Sequence, residues 1–157
     1  MPRKTPLLSI ACLVLAAPLA GPGTRAQDVN ADLQMAGQAA PMRKVIDAFI
    51  ERAVAGDVAG TRALLSAALV QRIGEDTAGK ALQGQIFPFF SGDGSPGSST
   101  TITRTTDAAG QQGFAFYLWW VAPGAQPKPF TVYTVSEGGR PVVANIVPDK
   151  LVEGWHR

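Results

Sequence analysis

The chain has 157 residues, of which 46% are hydrophobic and 17% charged, with 14 Lys and Arg against 12 Asp and Glu. That is one domain's worth of sequence with enough apolar content to bury a core. The near balance of charge, with no run of Lys or Arg after Arg25, leaves no electrostatic footprint for nucleic acid or an anionic membrane.

Arg3 and Lys4 open the chain, an apolar run follows over Leu7–Leu19, and Thr24-Arg25-Ala26 supplies the small residues that a signal peptidase needs around its cut. This order predicts a signal peptide over 1–26 and a mature protein in the periplasm or outside a bacterial cell. The apolar run falls short of the ~20 residues of a spanning helix, so no stable membrane span is expected after cleavage; an uncleaved anchor is the competing reading. With Arg3, Lys4 and Arg25 removed, the 14 basic residues fall to 11 against 12 acidic ones. Cys12, the single cysteine, lies inside the leader. It comes too early, with Ser9 where an aliphatic residue is wanted, to be a lipoprotein cysteine. The mature chain therefore has no disulfide with which to brace itself in an oxidising compartment.

Residues 27–40 are rich in Ala and Gln with weak periodicity and read as a flexible lead-in, either a linker or a frayed helical segment. A domain over 41–157 follows. Met42, Val45, Ile46, Phe49, Ile50, Ala53 and Val54 recur at helical spacing, which predicts an amphipathic helix with Pro41 in its first turn and Gly56 at its end. Asp57 is placed to cap a second helix running to Leu69, weakened by Gly60. Asp76 is placed to cap a third, whose buried stripe is Ala78, Leu82, Ile86 and Phe89. Ser91–Ser99 is a loop.

Beyond Thr100 the period changes to that of strands. Thr100–Thr106, Gly113–Val121, Phe130–Glu137 and Pro141–Val147 are four of them, and Glu137-Gly138-Gly139-Arg140 marks a tight hairpin. The second strand, GFAFYLWWV, is apolar on both faces, as buried central strands are. Helices followed by a meander of strands predict an α+β fold, with N-terminal helices packed on a curved antiparallel four-stranded sheet.

This order resembles the NTF2-like, or cystatin-like, superfamily. The features that carry the likeness are the amphipathic first helix, the Gly56-Asp57 break, the second helix running into Leu64-Leu65-Ser66, the Ile73-Gly74 turn, the third helix and the paired hairpins, over roughly Pro41 to Val152. The resemblance implies a cone of sheet around helices. It transfers no catalytic residue, because none of these features is a chemical motif.

Residues that could carry chemistry are few. Gly92–Gly97 fits G-x-G-x-x-G, but a dinucleotide site needs that run between a strand and a helix, and here a Thr-rich strand follows. His156, the single histidine, stands next to the C-terminal residue, where nothing fixes it as a catalytic triad requires. Without Cys or a second His, no metal site and no cofactor are expected. Asp107, Glu137 and Asp149 fall at strand ends or turns, away from the desolvated position that would raise a carboxyl into the working range of an acid–base catalyst.

The aromatic cluster is the strongest signal. Phe114, Phe116, Leu118 and Trp120 share one strand parity, Tyr117 and Trp119 the other, and Tyr133 comes from the next strand. Arg104 and Asn145 are the polar groups within strands that could orient a ligand. The residues proposed for a ligand or interface are thus Arg104, Tyr117, Trp119, Trp120, Tyr133 and Asn145. These features predict an exported, non-enzymatic binding or assembly module. Such a module works through an apolar pocket that takes a small apolar ligand, or through a sheet face that forms a homodimer. Tyr117 and Trp119 are the leading dimer contacts, with Trp120 and Phe116 as the pair if the parity is reversed. An enzyme of the SnoaL or ketosteroid-isomerase type, acting between sheet and helices, is the alternative, and an accessory of a larger envelope complex is a third reading.

Overall fold

The computed structural model describes residues 23–97, 101–107 and 110–148. The apolar run of the leader, Asp149, Trp155 and His156 lie outside them. The described chain is α+β, helices first and a curled antiparallel sheet after. Helix α1 spans Gly23–Val54, and short helices follow at Val58–Arg62 (α2), Ala67–Ile73 (α3) and Glu75–Ala81 (α4). A π-helical turn at Leu82–Ile86 leads into a single turn, α5, at Phe87–Phe89. The strands are β1 Ser95–Pro96, β2 Thr101–Thr106, β3 Gln112–Val121, β4 Lys128–Glu137 and β5 Arg140–Pro148.

Helix α1 buries Met42, Val45, Ile46, Phe49, Ile50 and Ala53 of the stripe that its periodicity predicts, but Val54, also assigned to that stripe, is the last residue of the helix and 51% exposed. The helix also begins well before Pro41, which sits inside it and not in its first turn. Proline there deprives the Gly37 carbonyl of its helical donor, and the helix continues because its upstream part also packs: Ala39 is buried and Met35 lies against the core. The stretch read as a lead-in is therefore helical. The Arg43–Asp47 pair, at 2.9 Å, decorates the exposed side.

The segment expected as one second helix is two. Asp57 caps α2 as predicted, accepting from the Gly60 N–H at 2.8 Å. A side chain at residue 60 would run into the Asp57 carboxylate and the Arg52 guanidinium, so the glycine that weakens the helix also admits its cap. After Arg62 the main chain leaves helical pairing to meet β5: the Val143 N–H donates to Leu64 O (2.9 Å) and the Ser66 N–H to Val143 O (2.8 Å). Ser66 then caps α3 through the Leu69 N–H. The cap of α4 is Gly74, whose φ of 85° suits a residue without Cβ, and Asp76 falls in the first turn instead. The π-turn has a cause in Pro88, which lacks the N–H that would bond the Gly84 carbonyl.

Within the sheet, β3 pairs with β4 and β4 with β5. The other edge of β3 is covered by two strands, β2 along Gln112–Tyr117 and β1 along Trp120–Val121. The sheet thus has the four predicted strands and a short fifth in the middle of the supposed loop Ser91–Ser99. Gly94 explains this: it lies so close on the Trp120 indole that any Cβ would overlap the ring, and Gly97 N–H bonds Trp119 O at 2.7 Å. The hairpin Glu137–Arg140 turns through Gly138 and Gly139 at φ of 57° and 79°, the pair of positive values that a two-residue turn of this hand requires.

Alternation along β3 settles which residues face the helices. Phe114, Phe116, Leu118 and Trp120 join the core formed with α1. Phe90, Trp120 and Phe130 meet edge to face with centroids 5.1 and 5.2 Å apart, and Phe89 closes the group on Phe90 and Phe130. Trp120 and Phe116 are each 1% exposed, so the reversed parity is excluded and neither can contact a partner.

Candidate functional site

Residues of the opposite parity form the outer face of the sheet. The cross-strand register sets them in rows: Gly113, Val135 and Val142 at the hairpin end, Ala115, Tyr133 and Asn145 in the middle, then Tyr117, Thr131 and Val147, and Trp119 beside Pro129 at the far end. A register shift between Tyr133 and Thr134 leaves Ala144 as the extra residue of β5. The bulge keeps Val143 in the core while Val142 and Asn145 both face outward.

The two ends of this face differ in cover. At the hairpin end Val135 and Val142 are 2% and 1% exposed, and α3 stands beside them. The helix is held there by Glu137, whose carboxylate accepts from Ser66 Oγ at 2.8 Å, Ala67 N–H at 2.9 Å and Ala68 N–H at 3.4 Å. Burial by itself pushes this carboxyl up. The hydrogen bonds from Ala67, Ser66 and Ala68 and the nearby Arg140 charge outweigh it and hold Glu137 below its ordinary value. At the far end no helix of the described chain stands over the sheet. Tyr117 is 39% exposed, Val121 42% and Val147 38%, with Trp119 half-buried among them.

Between α3 and the sheet runs an open groove of about 690 Å³, whose lining includes Leu69, Arg72, Asp107, Tyr133, Val135 and Asn145. Asp107 is engaged in the β2–β3 turn, where its Oδ1 accepts from the Gln111 N–H at 2.8 Å. Asn145 Oδ1 accepts from the Ile146 N–H at 2.9 Å, which leaves its NH₂ facing outward as a donor. A second hollow, about 450 Å³, lies at the β2–β3 end of α1 and is lined by Gln38, Arg104 and Phe114 among others.

The six residues singled out in the sequence do not form one site. Tyr133 and Asn145 are direct cross-strand partners in the groove. Tyr117 and Trp119 share their face at its uncovered end. Trp120 is part of the core, and its indole N–H is buried without a hydrogen-bond partner among the described residues. Arg104 belongs to the inner parity at the sheet edge, where it donates to Gln38 Oε1 at 3.1 Å and stacks over Phe114; it cannot reach the Tyr133 groove. Sequence reasoning missed Arg72, and it placed Glu137 at a strand end without its role in capping α3. Both owe their place to α3 crossing to the outer face, which depends on contacts more than 65 residues apart along the chain.

Among the described residues there is no group of three or more His, Cys, Asp or Glu able to hold a metal ion, and no helix is long and apolar enough to cross a membrane. Comparison of the chain with known protein families, with curated proteins and with solved structures finds no match. The physical reading of the outer face therefore carries the functional argument by itself.

Proposed function

We propose that this protein is a non-enzymatic assembly module of the NTF2-like kind, exported to the bacterial envelope, that pairs with a second copy of itself through the uncovered end of its outer sheet face. One observation carries the reading. Of the five large hydrophobic residues exposed among the described residues, three, Tyr117, Val121 and Val147, lie on this one face, around Trp119 and Pro129. Scattered exposed hydrophobics need no explanation, whereas three gathered on one face mark an interaction surface. Tyr and Trp suit such a surface, since each combines a large apolar area with a polar tip.

The chemistry of the acids agrees with a binding role. Glu137 is held low and engaged in capping a helix, and Asp107 anchors a turn; neither is arranged to take a proton from a substrate. The test is the oligomeric state. Wild-type protein gives a dimer by light scattering in the micromolar range, and Trp119→Glu, which would bury a charge in the interface, gives a folded monomer. Val147→Glu is the second variant, at a position 38% exposed, with circular dichroism confirming that each variant is folded. A wild-type monomer at high micromolar concentration removes the proposal.

A further inference from the structure

The groove beside α3 is distinct from the self-association surface, and the geometry points to a use for it: a binding site for a small apolar carboxylate, its anionic head held by Arg72, Tyr133 and Asn145 and its body lying on Leu69 and Val135. The volume, about 690 Å³, is within the ~300–1,000 Å³ typical of small-ligand sites. The wall is mixed in the way such sites are, with apolar side chains and a few polar groups.

The polar groups fix the sign of the ligand. Arg72 makes no ion pair among the described residues, unlike Arg43, Arg52 and Arg62, each of which has a carboxylate within 3.5 Å. Its guanidinium presents a planar fork of donors that matches a carboxylate. The Tyr133 hydroxyl has no hydrogen-bond partner among the described residues, and Asn145 offers its NH₂ because its oxygen is taken by Ile146 N–H. The lining thus supplies three kinds of donor. Its acid, Asp107, has Oδ1 engaged by Gln111 N–H and serves the β2–β3 turn, whereas Arg72 brings a positive charge that no carboxylate of the described residues pairs with.

The apolar part sets the rest. Val135 is buried, Leu69 and Ala144 are half-buried, and all three line the groove. A flat or short-chain hydrocarbon body fits against these residues, whereas inorganic anions or sugars would leave them wet.

The experiment is titration of the full mature chain with naphthoate, naphthamide and naphthylmethylammonium, followed by calorimetry and by NMR shifts of Tyr133 and Asn145. Naphthoate is expected to saturate the site and to move the signals of both residues. Naphthamide binds roughly tenfold more weakly, the loss expected when one charge-assisted contact of about 1.4 kcal/mol is removed. Arg72→Gln weakens naphthoate by a similar factor and leaves naphthamide unchanged. Arg72 is exposed, so the variant keeps its fold. Equal affinity for naphthoate and naphthamide, no effect of Arg72→Gln, preferred binding of the ammonium, or no saturation at millimolar naphthoate each overturns the site. Repeating the titration with Trp119→Glu separates the two proposals. Binding by a monomeric wild type would sink self-association and leave the groove standing, and a dimer that ignores naphthoate would do the reverse.

Discussion

Glu137 ties the β4–β5 hairpin to the start of α3, and its removal should be felt at neutral pH and not in acid. In Glu137→Gln one oxygen survives, enough for Ser66 Oγ and Ala68 N–H, which both address Oε1. The amide NH₂ then faces the Ala67 N–H that Oε2 accepts from, replacing an attraction with a repulsion between donors. A side-chain cap is worth about 0.5–2 kcal/mol; the site is only half-buried and one of its three contacts is long, so about 1 kcal/mol is the expected loss. The pH dependence follows from the lowered pKa. A carboxyl whose folded pKa lies below its unfolded value of 4.5 contributes stability that is complete above the unfolded pKa and is lost as pH falls through the folded one. Urea unfolding should therefore show wild type ahead of Glu137→Gln by about 1 kcal/mol at roughly pH 7, with the gap narrowing as pH falls below 4.5 and through the lowered folded pKa, where the wild-type carboxyl takes its proton. Equal stabilities at neutral pH, or a gap that persists in acid, would refute the capping argument.

Phe49 lies at the centre of the α1 stripe and is 1% exposed, so Phe49→Ala should destabilise by about 3–5 kcal/mol; a loss under about 1 kcal/mol in urea would mean the helix is not packed on the sheet. Gly113→Ala tests close approach, because a Cβ there would overlap the Thr134 carbonyl oxygen, a main-chain atom fixed by the β3–β4 ladder. Thermal melting should report about 1–3 kcal/mol of destabilisation, and an unchanged midpoint would show that the strands have room to part. Protein recovered from the envelope should begin near Gln27 by N-terminal sequencing; Met1 or Pro2 on that material would dispose of the cleaved leader.

What was legible in the sequence is what local pattern can carry. The α1 stripe, the Asp57 cap, the Gly138-Gly139 turn and the two-sided apolar β3 each announce themselves within a dozen residues, through period or backbone conformation. What was not legible depends on distant partners. Pro41 reads as a helix start because local rules put it there, yet Ala39 and Met35 find core on the far side of it. The break at Leu64–Ser66 exists because Val143 offers main-chain groups, which no helical periodicity could register. Gly94 looks like loop punctuation until Trp120 is placed beneath it. The candidate groove needed both kinds of information: Tyr133 and Asn145 stood out as polar or aromatic strand residues, whereas Arg72 was one more cation on a weak helix until α3 was brought over the sheet.

The meeting of Val143 with Leu64 and Ser66 has a further consequence. An outermost strand normally presents a ladder of free donors and acceptors on which another chain can grow, the route to runaway stacking. Here the middle of β5 is stoppered by its own upstream chain, and the opposite border is broken between β1 and β2, with Pro96 contributing no N–H. With a single cysteine and so no intramolecular disulfide to lock it, the chain gains from borders that refuse extension. Growth by adding strands is discouraged at both.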